Sequence, residues 1–222
     1  MNKYLLMNKK PTNKSKKVAM NITVFQNDLP HDFNIIGDIA IDCETMGLNL
    51  HRDRLCLLQL SNGDGDAYLV QFTDENFEAP NLKKLLLDKN RCKIFHFGRF
   101  DLAAIKKYLE IDLENIFCTK ISSKLVRTYT DSHGLKELCR ELLGIQISKL
   151  QQSSYWGNAE ISQDQKEYAA RDVLYLHKIK DILEKMLIRE GRLEVATKLF
   201  NFLPIRANLD LMGWNDLDIF TY

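Results

Sequence analysis

Two carboxylates, Asp42 and Glu44, close an apolar run: Gly37-Asp38-Ile39-Ala40-Ile41-Asp42-Cys43-Glu44-Thr45-Met46-Gly47-Leu48. The run reads as a strand, where residues two apart point to one face. Side by side, the two acids repel, and each disfavours the other's charged form. A divalent cation would offset that repulsion. Two further acids lie downstream in suitable settings. Asp101 follows a short apolar run, in Ile94-Phe95-His96-Phe97-Gly98-Arg99-Phe100-Asp101-Leu102, at the expected start of a helix. Asp172 lies in Tyr168-Ala169-Ala170-Arg171-Asp172-Val173, with Tyr168 four residues before it on the same helix face. Taken singly, each has a plain structural role: Asp101 would favour a helix dipole, Asp172 a solvated face, Tyr168 a core rim. Together they form an all-oxygen donor set suited to a hard cation such as Mg²⁺.

The elements that must position these residues are legible in outline. Ile35–Asp42, Leu55–Ser61 and Ala67–Val70 read as strands. Asn62-Gly63-Asp64-Gly65-Asp66 between the last two is a hairpin turn. It lacks the twelfth-position Glu that a calcium loop would need. Leu82, Leu85 and Leu86 suggest a short helix, Cys92–Phe97 a buried strand, Asp101–Leu109 a helix and Ile116–Cys118 another strand. Beyond them the pattern is helical: Ile121–Tyr129, then Gly134–Leu143 closed by Gly144, then a long helix from Ser162 to about Met186. Ser162 and Gln165 form a capping box at its start. Gln59, polar within an apolar strand, is expected to make a structural hydrogen bond. This order predicts one mixed α/β domain over residues 20–200.

At 222 residues, 45% hydrophobic and 27% charged, the chain has the composition of a soluble globular protein. No apolar run reaches the ~20 residues of a membrane span, and no signal-peptide core is seen, so a cytoplasmic protein is expected. Cys43, Cys56, Cys92, Cys118 and Cys139 form no Cys-x-x-Cys pair and read as buried small hydrophobes. Residues 1–19 carry six lysines and no acid, so the chain's net +1 leaves −5 for the remaining 203 residues. This basic tail is expected to be disordered, with Met7 and Met20 as alternative starts.

The acidic segments resemble the three motifs of the DEDD superfamily of 3′–5′ exonucleases. Asp42-x-Glu44 is similar to the first, His96 to Asp101 to the second, and Tyr168-x-x-x-Asp172, with its spacing of three, to the third motif of the tyrosine subgroup. Within that subgroup the wording resembles ribonuclease D. Supporting phrases are Leu55-Cys56-Leu57-Leu58-Gln59-Leu60, His133-Gly134-Leu135-Lys136-Glu137-Leu138 and Gln152-Ser153-Ser154-Tyr155-Trp156. The resemblance covers residues 20 to 190 and implies a ribonuclease H-like fold, a mixed central sheet flanked by helices. It also implies a metal-dependent enzyme that trims RNA 3′ ends, transfer-RNA precursors among them, to nucleoside 5′-monophosphates. The cofactors implied are two divalent cations, Mg²⁺ or Mn²⁺, held by Asp42, Glu44, Asp101 and Asp172, with Asp42 bridging. Tyr168 would orient the attacking water. Met46, Gly47 and Leu48, with His96 and Phe100, would contact the terminal nucleotide. The partner implied is a single-stranded 3′ end, RNA preferred, with no membrane, and a monomer or homodimer is expected. DNA-trimming exonucleases share these motifs and form the alternative; an inert nucleic-acid-binding protein should have lost a ligand. About 30 residues follow the long helix, too few for the helical accessory domains of longer ribonuclease D forms, so a short, single-domain version is expected. Residues 201–222, with Trp214, Ile219 and Phe220, are expected to pack on the domain or on a second subunit.

Overall fold

The computed structural model describes residues 20–147, 154–217 and 219–221. The expectations for residues 1–19, Gln152 and Ser153 lie outside the described residues. Six strands form one sheet: β1 (Asn21–Gln26), β2 (Ile39–Thr45), β3 (Leu55–Ser61), β4 (Asp66–Gln71), β5 (Lys93–Phe95) and β6 (Ile116–Cys118), in the order β1-β4-β3-β2-β5-β6. β4, β3 and β2 pair antiparallel, whereas β1–β4, β2–β5 and β5–β6 pair parallel. The meander follows from the turn at residues 62–66, where Gly63 (φ 82°) and Gly65 (φ 111°) take the left-handed backbone that other residues resist. The parallel half follows from crossover helices.

Helices cover both faces. They are α1 (Pro80–Leu86), α2 (Arg99–Leu109), α3 (Thr119–Val126), α4 (Leu135–Leu143), α5 (Gln163–Leu174), α6 (Leu176–Arg189) and α7 (Leu193–Leu209). Alternate residues of β3 and β4 feed two cores. Leu58, Leu60 and Val70 join the main core with α2 and α6, while Leu57 and Leu69 pack with Trp156, Ile161 and Ala169 under α5. Cys43, Cys56, Cys118 and Cys139 are buried and Cys92 half-buried, all free, as their scatter predicts.

The structure departs from the sequence expectations in four places. The strand expected over Ile35–Asp42, β2, begins at Ile39 and runs through Glu44 to Thr45. β1 is an additional edge strand, with Ile22, Val24 and Phe25 half-buried and Asn21, Thr23 and Gln26 exposed. The long helix breaks at Tyr175 (φ −103°, ψ −6°) into α5, which packs on β2, β3 and β4, and α6, which packs on α3 and α4. Its buried residues Ala169, Ala170, Val173, Leu176, Ile179, Leu183 and Leu187 keep a three-to-four spacing across the break, so the sequence carries no sign of it. Finally, α7 runs through the expected boundary at residue 200, with Ala196, Phe200, Leu203 and Ala207 buried along it. Past it, the ring of Phe220 lies 6.0 Å from that of Phe202, while Trp214 stays 45% exposed.

Candidate active site

Three of the four acids meet. Asp42, Glu44 and Asp172 each place a carboxylate oxygen so that all three atoms lie within 4.8 Å of one another. The strand period brings the first two to one face of β2, and α5 crosses that face with Asp172. A register shift between Glu44 and Thr45 against β3, the mark of a β-bulge, lies at this end of the strand. Asp101 stands in the first turn of α2, 4% exposed, its Oδ1 accepting from the Cys43 amide at 2.9 Å. It reaches the same backbone stretch from the neighbouring element; its charge acts on Asp42 and Glu44, and that of Asp172 acts on it.

The electrostatics are those of acids that a cation would stabilise in their charged form. Burial pushes the Asp42 carboxyl well above the carboxylate range, reinforced by the charges of Asp101, Asp172 and Glu44. Burial, then Asp172 and Asp101, does the same to Glu44. Asp101 and Asp172 are each pushed up to about 7, chiefly by burial. Such crowding opposes folding unless a counter-charge is present. An all-oxygen, half-buried cluster is the donor set that a hard divalent cation fits. Tyr168 donates its hydroxyl to Asp172, and burial first, then the surrounding carboxylates, raises its pKa above the ordinary value. Its ring sits 6.1 Å from Trp156, which is buried below it.

Gln59 does make the hydrogen bond expected of it, and the partner is Asp42: Nε2 to Oδ2, 2.7 Å. Gln59 is fully buried and directly opposite Asp42 in the β2–β3 ladder. Its polarity in an apolar strand was the available signal; the register was not.

The remaining sequence candidates divide. Met46 (39% exposed) and Leu48 (87% exposed) project from the loop after β2. Gly47 has a structural neighbour: a Cβ there would lie 2.3 Å from Asp53 Oδ2. Asp53, which the sequence reading passed over, is 6% exposed and organises this loop. Its Oδ2 accepts from the Asn49 amide at 2.9 Å, and its backbone carbonyl accepts from Tyr108 of α2 at 3.1 Å. His96 and Phe100 are half-buried beside the second acidic segment. Thr119 Oγ1 donates to the Phe95 carbonyl at 3.0 Å, so His96 Nδ1, 2.9 Å from that same oxygen, is assigned as the protonated nitrogen.

The sequence profile of a 3′–5′ exonuclease family matches residues 22–188. Ribonuclease D from Gluconacetobacter diazotrophicus is 33% identical over 163 residues, 72% of this chain; the chain spans 41% of that relative's length. Brucella melitensis NrnC bound to pGG superposes with a TM-score of 0.88 at 54% identity, covering 92% of this chain and all of that one. The same NrnC with bound Mg²⁺ gives 0.87 and 53%, covering 91% and 100%. The chain therefore belongs to the 3′–5′ exonuclease family, on its ribonuclease D-like side.

Proposed function

We propose that this chain is a divalent-metal-dependent 3′–5′ exoribonuclease that removes nucleotides from RNA 3′ ends, in transfer-RNA or other small-RNA processing. The single observation that carries this reading is the convergence of Asp42, Glu44 and Asp172 within 4.8 Å, flanked by Asp101 and Tyr168. The Mg²⁺ and pGG bound by a 53–54% identical relative support it.

Asp42, Glu44, Asp101 and Asp172 would hold two divalent cations, Mg²⁺ or Mn²⁺. Cations so held acidify a water and offset charge on phosphate oxygens. The protein's own groups do the rest. Hydrolysis adds water to the terminal phosphorus and breaks its bond to the preceding 3′ oxygen, giving a nucleoside 5′-monophosphate and a new 3′ hydroxyl. Tyr168 keeps its proton, because burial and three nearby acids, Asp172, Glu44 and Asp42, disfavour the phenolate. It therefore positions the attacking water by hydrogen bonding and does not act as a base. Met46 and Leu48, exposed beside the acids, would press on the terminal base, while His96 and Phe100 border the sugar. Gly47 lets the loop backbone lie against Asp53 and so holds its two neighbours in place.

Recognition of the 2′ hydroxyl decides RNA against DNA. Parallel digestion of 5′-labelled RNA, DNA and pGG at one salt concentration, with Mg²⁺ or Mn²⁺, tests the assignment. The RNA strand should shorten from its 3′ end faster than the DNA strand. Faster DNA shortening would move the protein to the exodeoxyribonucleases. Retention of RNA without cleavage would make it a binding protein. Among the described residues no helix is long and apolar enough to cross a membrane.

A further inference from the structure

α2 delivers Asp101 from an entry that lacks the usual supports. Its N-cap is Gly98, with no side chain to accept from the first amides. Phe97, just before it, sits at φ 67°, a conformation that a bulky side chain adopts only when its surroundings impose it. Something outside the helix must hold this turn. The Cys43 amide does so from inside, through Asp101 itself.

Lys120 braces the turn as well, its Nζ 3.9 Å over the Phe97 ring, and a further hold comes from far along the chain. Arg99, the first residue of α2, donates Nε and Nη2 to the two oxygens of Asp210, at 2.6 and 2.7 Å. Asp210 is 5% exposed, at the start of a wide turn (Asp210–Trp214) that follows α7 and is closed by Gly213 at φ 88°. Arg206 of α7 also pairs with Asp210, at 3.0 Å. Arg99 Nη2 reaches the Asn215 carbonyl at 2.8 Å as well. A planar fork bonded twice to one buried carboxylate fixes direction as well as distance. This element lies beyond the residues the family profile matches, 22–188.

We propose that Asp210 is a positioning residue: through Arg99 it pins the first turn of α2, and thereby sets the Asp101 carboxylate against the other metal ligands. The α7 end is thus part of the working site and not only packing. This inference rests on the reading of Asp101 as a metal ligand.

The test uses the full chain and Mn²⁺ as probe. Mn²⁺ binding is followed by electron paramagnetic resonance, and cleavage of single-stranded RNA by rate against Mn²⁺ concentration. Asp210→Asn keeps the side-chain shape and removes the charge; Asp210→Ala and Arg99→Lys accompany it. The expected result is weaker Mn²⁺ binding by about tenfold, the scale of outer-shell changes. A lowered kcat should accompany it, with KM for RNA changed less than about twofold. In an Asp101→Asn background, Asp210→Asn should weaken Mn²⁺ binding no further. Wild-type Mn²⁺ binding in folded Asp210→Asn, or an equal loss with and without Asp101, overturns the proposal. If Asp210→Ala does not fold, the Asn variant decides. Asp210-dependent Mn²⁺ binding in a protein that cuts nothing would sustain the latch and sink the exonuclease reading. A wild type that binds no Mn²⁺ would sink both.

Discussion

Gln59 and Asp42 face each other across the β2–β3 ladder, and the Gln59 amide donates to Asp42 Oδ2 at 2.7 Å. This bond leaves Asp42 one orientation and favours its charged form, against burial and the neighbouring acids. Gln59 Oε1, by contrast, is buried without a hydrogen-bond partner among the described residues, so the glutamine is held for the sake of its donor. Gln59→Leu should therefore lower kcat by roughly tenfold, as loss of an outer-shell partner does. The thermal midpoint should fall little, because an unsatisfied oxygen leaves with the amide. Unchanged kcat would remove Gln59 from the site.

The raised carboxyls make metal binding and stability depend on pH in opposite senses. Without metal, Asp101 and Asp172 hold their protons up to about 7 in the folded state, against about 4 for a free Asp. The folded form then binds more protons than the unfolded one between these values, so metal-free stability should fall as pH rises from about 4 to 7. Metal must displace those protons, so its affinity should rise over the upper part of the same range. Thermal midpoints with chelator, and Mg²⁺ titrations at pH 6 and 8, check both signs. Metal affinity that is flat over this range would contradict the account.

Gly47→Ala would drive a Cβ to 2.3 Å from Asp53 Oδ2. Asp53 is tied to Asn49 and to Arg52, so it has little room to yield. We expect a loss of about 1–3 kcal/mol, the usual penalty of overpacking, with a raised KM as Met46 and Leu48 shift. Gly47→Ala combined with Asp53→Ala should recover part of the KM change. Additive losses in chemical denaturation and KM would show that the two residues do not act on each other.

Tyr168→Phe removes a hydroxyl that now donates to Asp172. If that hydroxyl positions the water, kcat should drop by about 10²-fold or more while KM stays near wild type. A pH–rate profile that lost an acidic limb on this change would instead mark the tyrosine as a base.

Much of this site was legible because its residues obey local periods. Asp42 and Glu44 are two apart on a strand, Tyr168 and Asp172 four apart on a helix, and Ser162–Gln165 forms both bonds of the capping box. What stayed hidden depends on partners distant in sequence. The pairing of Gln59 with Asp42 needs the β2–β3 register, which shifts at Glu44. The closeness of Gly47 to Asp53 needs a loop fold that no period encodes. The break at Tyr175 leaves the apolar spacing intact, and α7 with Asp210 acquires its meaning only from Arg99, 111 residues earlier. β1 pairs in parallel with β4, a partner that its own short alternation of Ile22 and Val24 does not name.

The central claim is that the cluster of Asp42, Glu44 and Asp172, with Asp101 beside it, cuts phosphodiesters from the 3′ end. Its most direct test is one gel of 5′-labelled single-stranded RNA incubated with Mg²⁺ or Mn²⁺, beside the Asp42→Ala protein and a chelator control. A ladder of products shortened from the 3′ end is expected, abolished by the substitution and by the chelator. Intact RNA in both metals, or a ladder that survives Asp42→Ala, would contradict it.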